Sequence, residues 1–176
     1  MEQDLTLPEC EFFCENKKQT IVPNFKHEEL SLLSGTFGPF RPGLPLEVPL
    51  WLAISLKKQQ KCQIVVPAWM DHEVLQAKLE EEKVNESLTQ IDFYYFEMAS
   101  LLLTHAKEDF KHKKLIRRLL EDLYNVRSAK INKSLKNLSE ESSGVELANI
   151  ASIELQNLRR VMIDTFTNIQ KIKASK

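Results

Sequence analysis

The stretch "CQIVVPAWMDHEVLQ", residues 62–76, is where the chain changes character. Its first half, ending at Pro67, is a β-branched apolar run that reads as a short buried strand. Its second half leads into an acidic, weakly amphipathic helical pattern from Asp71 to about Val84. Pro67 is the last of seven prolines, and three of the four glycines lie at or before Gly43. From Ala68 to Lys176 there is no proline and one glycine, Gly144. Proline and glycine mark turns and break helices, so this asymmetry predicts two units. The expected fold is mainly α: a small N-terminal α/β domain over 1–66, then a C-terminal α-helical bundle domain over 67–176.

Upstream of the boundary, "PECEFFCEN" places Cys10, Phe13 and Cys14 on one helical face. "QTIVPNF" and "ELSLLSG" read as short strands. "GPFRPGLPLEVP", residues 38–49, carries four prolines and reads as a rigid apolar loop. "VPLWLAISLKKQQK" then reads as a compact helix with Pro49 in its first turn.

Downstream, residues 92–106 carry Tyr94, Tyr95, Met98, Leu101, Leu102 and His105 at three- and four-residue spacing. A stripe that wide suits a helix buried on several sides. A third helix over about 113–138 lines up Leu120, Tyr124, Ile131, Leu135 and Leu138. A fourth over about 146–172 lines up Leu155, Leu158, Met162, Phe166 and Ile169. Four helices with short connections predict a bundle.

Composition narrows the function class. The hydrophobic fraction is 43% and the charged fraction 28%, as in a folded globular protein. The apolar run "VPLWLAISL" stops far short of the roughly 20 residues that span a bilayer. The acidic N-terminus lacks the pattern of a signal peptide, and the three cysteines, Cys10, Cys14 and Cys62, make a poor disulfide framework. A cytosolic or nuclear protein is expected. The net charge of −1 argues against an autonomous nucleic-acid binder.

Catalytic signatures are largely absent. Four glycines supply no phosphate-cradling loop. "HEVLQ" at His72 begins like a zinc-protease motif, but Gln76 stands where the second histidine must be. Cys10 and Cys14 lack a second Cys/His pair, so a packed helix face is the simpler reading. No metal or cofactor is expected, and the chain reads as a non-enzyme.

The charged stretches are more informative. "KHKKLIRR", residues 111–118, opens a helix with five permanent cations against the helix dipole. A solvated face accounts for it, with an acidic partner or DNA phosphates as the alternative use. "KKQQK", residues 57–61, directly follows the apolar run and is the better interaction surface. Arg127 interrupts the apolar face of the third helix between Tyr124 and Ile131, where it is either a rim residue or a buried, paired cation. Glu154 interrupts the fourth helix between Ile150 and Leu158 in the same way. Opposite charges on two apolar faces are best explained by an Arg127–Glu154 ion pair, with Glu97 as the rival acceptor.

These segments carry a resemblance. "IVPNF" at 21–25, "GPFRPGLPLEVPLWLA" at 38–53, "KKQQKCQIVVPAWMD" at 57–71 and "LANIASIEL" at 147–155 resemble the subunit 2 family of the eukaryotic GINS complex, a DNA-replication factor. The chain departs from the family pattern at Ile150, Ala151 and Leu155, and Ala151 replaces a threonine hydroxyl. The resemblance implies a β-containing domain followed by a helical one, in a nuclear heterotetrameric scaffold without catalysis. Its implied partners are the three other GINS subunits, the Mcm motor ring, a RecJ-like accessory factor and polymerases, with any DNA contact indirect. It further implies that the proline-rich loop and "KKQQK" form a docking surface: Phe37, Phe40, Arg41, Leu44 and Leu46 with Lys57, Lys58 and Lys61. Prolines that fix φ in advance lower the ordering cost of binding. The rival classes are an autonomous nucleic-acid-binding module, a generic helical interaction protein, and an enzyme whose site is scattered through the sequence.

Overall fold

A computed structural model describes residues 7–137, 148–160 and 162. Helix α1, Leu7–Cys14, precedes strand β1, Lys18–Pro23. Then come β2, Leu30–Leu32; β3, Gly35–Phe37; β4, Leu46–Pro49; α2, Leu50–Lys58; and β5, Cys62–Ile64. A single 3₁₀ turn at Ala68–Met70 leads to α3, His72–Val84; α4, Tyr95–His105; and α5, Lys113–Asn137. A last helix, α6, covers 152–160. The mainly α fold with a small N-terminal sheet region follows the pattern read from proline and glycine.

β1 is the centre of a three-stranded antiparallel sheet in the order β4-β1-β5, with Ile21 opposite both Leu46 and Ile64. Strand β4 corrects one expectation: the end of the proline-rich segment is not loop but an edge strand. An edge tolerates Pro49, which lacks a ladder N–H, and Pro49 then serves as N-cap of α2 rather than lying in its first turn. "ELSLLSG" contributes only a three-residue strand, which pairs with β3 in a separate hairpin. Phe13 is also corrected. Cys10 and Cys14 are buried, but Phe13 is exposed beside Phe12. Residues 148–151 are not helical, so α6 begins later than about 146. Asn149 has φ +59, a left-handed conformation that stops a helix from running through it. Leu138, Phe166, Ile169 and Ile172 lie outside the described residues.

Both halves share one apolar core. Leu50, Ala53 and Ile54 of α2 join Tyr95, Met98 and Leu102 of α4, as the wide stripe of that helix requires. α3 packs most extensively along α5, and the buried faces of α4 and α6 complete the helical part. On α6 the buried positions are Ser152 and Glu154, whereas Leu155, and Met162 just beyond 152–160, are exposed. That face is therefore more polar than its leucine spacing implied.

Candidate protein-interaction surface and the arginine cluster

The segment proposed from sequence as a docking loop splits in two. Phe40 points inward: it is 1% exposed and stacks on Phe25 with centroids 5.2 Å apart. Its amide donates to the His27 carbonyl at 2.8 Å, and the His27 amide returns a bond to the Phe40 carbonyl at 3.0 Å. Burying Phe40 explains the neighbouring glycine. A Cβ on Gly38, at φ +130, would sit 2.6 Å from the Glu28 carbonyl oxygen, so the two chain segments approach too closely for any side chain. Phe40 thus belongs to the core and not to a contact surface.

The rest of the loop faces outward. Arg41 and Leu44 are exposed, Leu46 is half-buried in β4, and Phe37 is half-buried edge-on against Trp51. Leu33, at the tip of the β2–β3 hairpin, is fully exposed, and Leu32 beside it is exposed too. The largest apolar exposure in this region therefore lies on a hairpin that the sequence reading passed over.

"KKQQK" divides in the same way. The Lys57 ammonium lies 2.8 Å from the Asp109 carboxylate, and each side chain is only 13% exposed. The second oxygen of Asp109 accepts the Ile64 amide at 2.9 Å. One carboxylate in the α4–α5 connection thereby ties α2 and β5 to the helices, and Lys57 is a tether rather than a docking cation. Lys58 and Lys61 are exposed, with the Lys61 ammonium 5.7 Å from the centre of the Phe25 ring. The turn holding them closes α2 in a Schellman arrangement: the Lys61 amide reaches the Leu56 carbonyl, and the Gln60 amide reaches that of Lys57.

Arg127 is the polar centre of the helical half. It is fully buried, and its Nε and Nη2 meet the Glu154 carboxylate at 2.6 and 2.9 Å. Nη1 donates to Glu82 at 3.0 Å and to the Thr89 carbonyl at 2.9 Å, while Nη2 also donates to the Asn149 carbonyl at 2.7 Å. Lys130 adds a second cation, 2.7 Å from Glu82, and also donates to the Glu82 carbonyl. Two cations thus meet two carboxylates, and α3, the α3–α4 connection, α5 and the start of α6 are joined at one point. Burial alone would raise the Glu82 pKa, but bonds from Lys130 and Thr89 and the Arg127 charge hold it below its ordinary value. Burial likewise opposes the Arg127 charge, and Glu154 and Glu82 outweigh it.

Glu154 has a second task. It stands three residues after Ala151, the N-cap of α6, and accepts the Ala151 amide at 2.9 Å. That is one half of a capping box, the half that survives when the cap residue has no hydroxyl. The remaining partners, Glu82, Thr89 and Asn149, were missed from sequence. Two of them contribute backbone carbonyls, which leave no side-chain pattern to read.

Glu97, the rival acceptor, does not reach Arg127. It is 1% exposed, and among the described residues neither carboxylate oxygen has a partner in hydrogen-bond geometry. Burial pushes its pKa up, and its own backbone amide and then the nearby Ser152 hydroxyl, neither of them in hydrogen-bond geometry with it, oppose this only in part. The thiols are equally quiet: burial raises Cys14 to about 12 and Cys62 to about 11, so neither is a nucleophile at neutral pH. Among the described residues no three His, Cys, Asp or Glu side chains are grouped to hold a metal ion, and no helix is long and apolar enough to cross a membrane.

The described residues thus form an α/β head carrying exposed apolar residues and a helical body braced by an internal ion network. Residues 6–65 match the family model of the PSF2 N-terminal domain, and residues 69–166 match that of the GINS complex protein helical bundle domain. The second match sets the class, a helical-bundle protein of GINS complexes. The chain belongs to the PSF2 family of GINS proteins. It is 37% identical to the DNA replication complex GINS protein PSF2 of Xenopus laevis, over 95% of this chain and 91% of that relative. The Homo sapiens protein of the same name is 36% identical over the same shares, and the Schizosaccharomyces pombe protein is 32% identical over 93% and 88%.

Proposed function

We propose that this chain is a non-catalytic, nuclear scaffold subunit of a heterotetrameric GINS complex in DNA replication. In this reading it binds the three other GINS subunits and helps join the Mcm motor ring to a RecJ-like accessory factor, with any DNA contact indirect. Its two working parts are the head, 1–66, and the helical body, 67–176. The observation that carries the reading is the apolar exposure of the head: Leu33 at the hairpin tip is fully exposed with Leu32 next to it in sequence, and Leu44 is exposed in the proline-rich segment. Single exposed apolar residues are ordinary, but a group on one small hairpin and loop is what a partner covers. Arg41, Lys58 and Lys61 supply a polar rim, and Phe37 and Leu46 its half-buried floor. Phe40 and Lys57 are left out because the fold already uses them.

Co-expression with the three partner subunits tests this directly. The expected result is one species of equal stoichiometry in light scattering, and self-association of the chain when it is made alone. Leu33→Asp with Leu44→Asp should restore solubility to the lone chain and weaken assembly. A monodisperse lone monomer that ignores the other subunits overturns the proposal.

A further inference from the structure

The C-terminal ends of α2 and α4 converge beside the Schellman turn and leave a cleft of about 480 Å³. Its wall carries Lys57, Lys58, His105 and Lys107 against a single carboxylate, Glu108. Lys57 is neutralised by Asp109. Lys58 and Lys107 are exposed and have no ion-pair partner among the described residues. Burial, and then the Lys58 charge, hold the His105 pKa below its ordinary value, with Glu15 opposing. Among the described residues the cleft therefore holds more positive than negative charge, with Glu108 as its one carboxylate.

A second observation singles out the same place. Gln60, which lines the cleft, has φ +58, the left-handed position at the end of a helix where glycine is usual. A residue with a Cβ is strained there, because the Cβ crowds the following carbonyl oxygen. The strain is sustained by the turn and by the Asn24 amide, which donates to the Gln60 carbonyl at 2.8 Å. Glycine would relieve it but would remove a polar side chain from the wall. Strain kept at a residue that lines a polar cleft points to a binding role.

We propose that this cleft receives an acidic, extended segment of a protein partner, with carboxylates pairing to Lys58 and Lys107. The proposal rests on the docking-subunit reading above and deepens it. A protein segment fits better than nucleic acid for three reasons. The cleft admits a few side chains and not a duplex; it offers two uncommitted cations with Glu108 beside them; and the chain as a whole carries a net charge of −1. Phosphate-backbone binding instead relies on many cations in a row.

The test uses the assembled four-subunit complex and a short labelled peptide of alternating Glu and Ser, read by fluorescence anisotropy. Saturable binding is expected. It should weaken as salt rises and fall at least about tenfold in Lys58→Glu/Lys107→Glu, since facing like charges penalises the pair. Lys58→Met/Lys107→Met should also bind weakly, which covers the case of a misfolded reversal variant. Absence of saturable binding, binding indifferent to both double variants, or tighter binding of a single-stranded oligonucleotide of equal charge would overturn the proposal. If the complex fails to assemble, the docking-subunit reading falls, and the same titration on the full chain still judges the cleft. An intact complex that ignores the peptide rejects the cleft alone.

Discussion

Two buried charges in the helical half meet opposite fates. Arg127 on α5 is fully buried and makes five hydrogen bonds, to two carboxylates and two carbonyls. Glu97 on α4 is 1% exposed and makes none among the described residues. Desolvation is costly for both, but only Arg127 finds partners in return. Arg127 therefore stays charged and braces the body, whereas Glu97 is driven toward its neutral form. Burial by itself does not say whether a charge supports a fold; the bonds it makes do.

The largest effect should come from breaking the satisfied site. Arg127→Ala leaves Glu82 and Glu154 buried without their main counter-charge and is expected to cost about 3–5 kcal/mol. Glu154→Ala should also be severe, because it removes the α6 cap as well as the pair. In chemical denaturation the double variant should lose clearly less than the sum of the singles, since the residues share two bonds. Strict additivity would mean that each works independently and would undo the contrast with Glu97.

How much of this was legible depended on whether a residue's own type carried the signal. Proline and glycine placement separated sheet from helices because those residues act on the backbone itself. Arg127 and Glu154 were visible as interruptions of apolar stripes. Phe40 and Lys57 were misplaced because an aromatic ring in a proline-rich segment and a lysine in a basic run look exposed until the facing residue is known. Phe25 and Asp109 are those facing residues, and Asp109 lies 52 positions from Lys57. The strand β4 was hidden by prolines at its flanks, which an edge position tolerates. The silence of Glu97 was unreadable too, since an absent partner leaves no pattern.

The Lys57–Asp109 pair lies between the two extremes, at 13% exposure for each side chain. Lys57→Met keeps much of the aliphatic packing and removes the ammonium. The expected loss is about 1–2 kcal/mol, below that of Arg127→Ala because Asp109 retains the Ile64 amide and some water. Thermal melts of the two variants side by side give the order. A Lys57→Met loss equal to that of Arg127→Ala would show that exposure, and not the number of bonds, sets the scale.

The smallest effect, and one of opposite sign, belongs to Glu97→Gln. Glutamine keeps the shape and removes the charge, so at neutral pH the variant should be more stable by about 1 kcal/mol, the part of the penalty that charge adds to an unpaired buried group. The pH dependence fixes the sign. Burial raises the folded-state pKa of Glu97 above its ordinary 4.5, so the folded chain holds this proton more tightly than the unfolded one. Its contribution is fully present below 4.5 and is lost as pH climbs toward the raised value, beyond which it is constant. Glu82 behaves oppositely: its lowered pKa gives stability that is present above the ordinary value and is lost as pH falls through the folded one. The two windows lie on opposite sides of 4.5, so Glu82 stays out of the range in which Glu97 titrates, and groups common to parent and variant, such as His105, cancel in the comparison. Urea melts from mildly acidic to neutral pH should show no gap at the acidic end and a gap in favour of glutamine that widens with pH. A gap that stays constant across that range would mean that Glu97 ionises as freely inside the fold as outside it, and that its two oxygens have a partner after all.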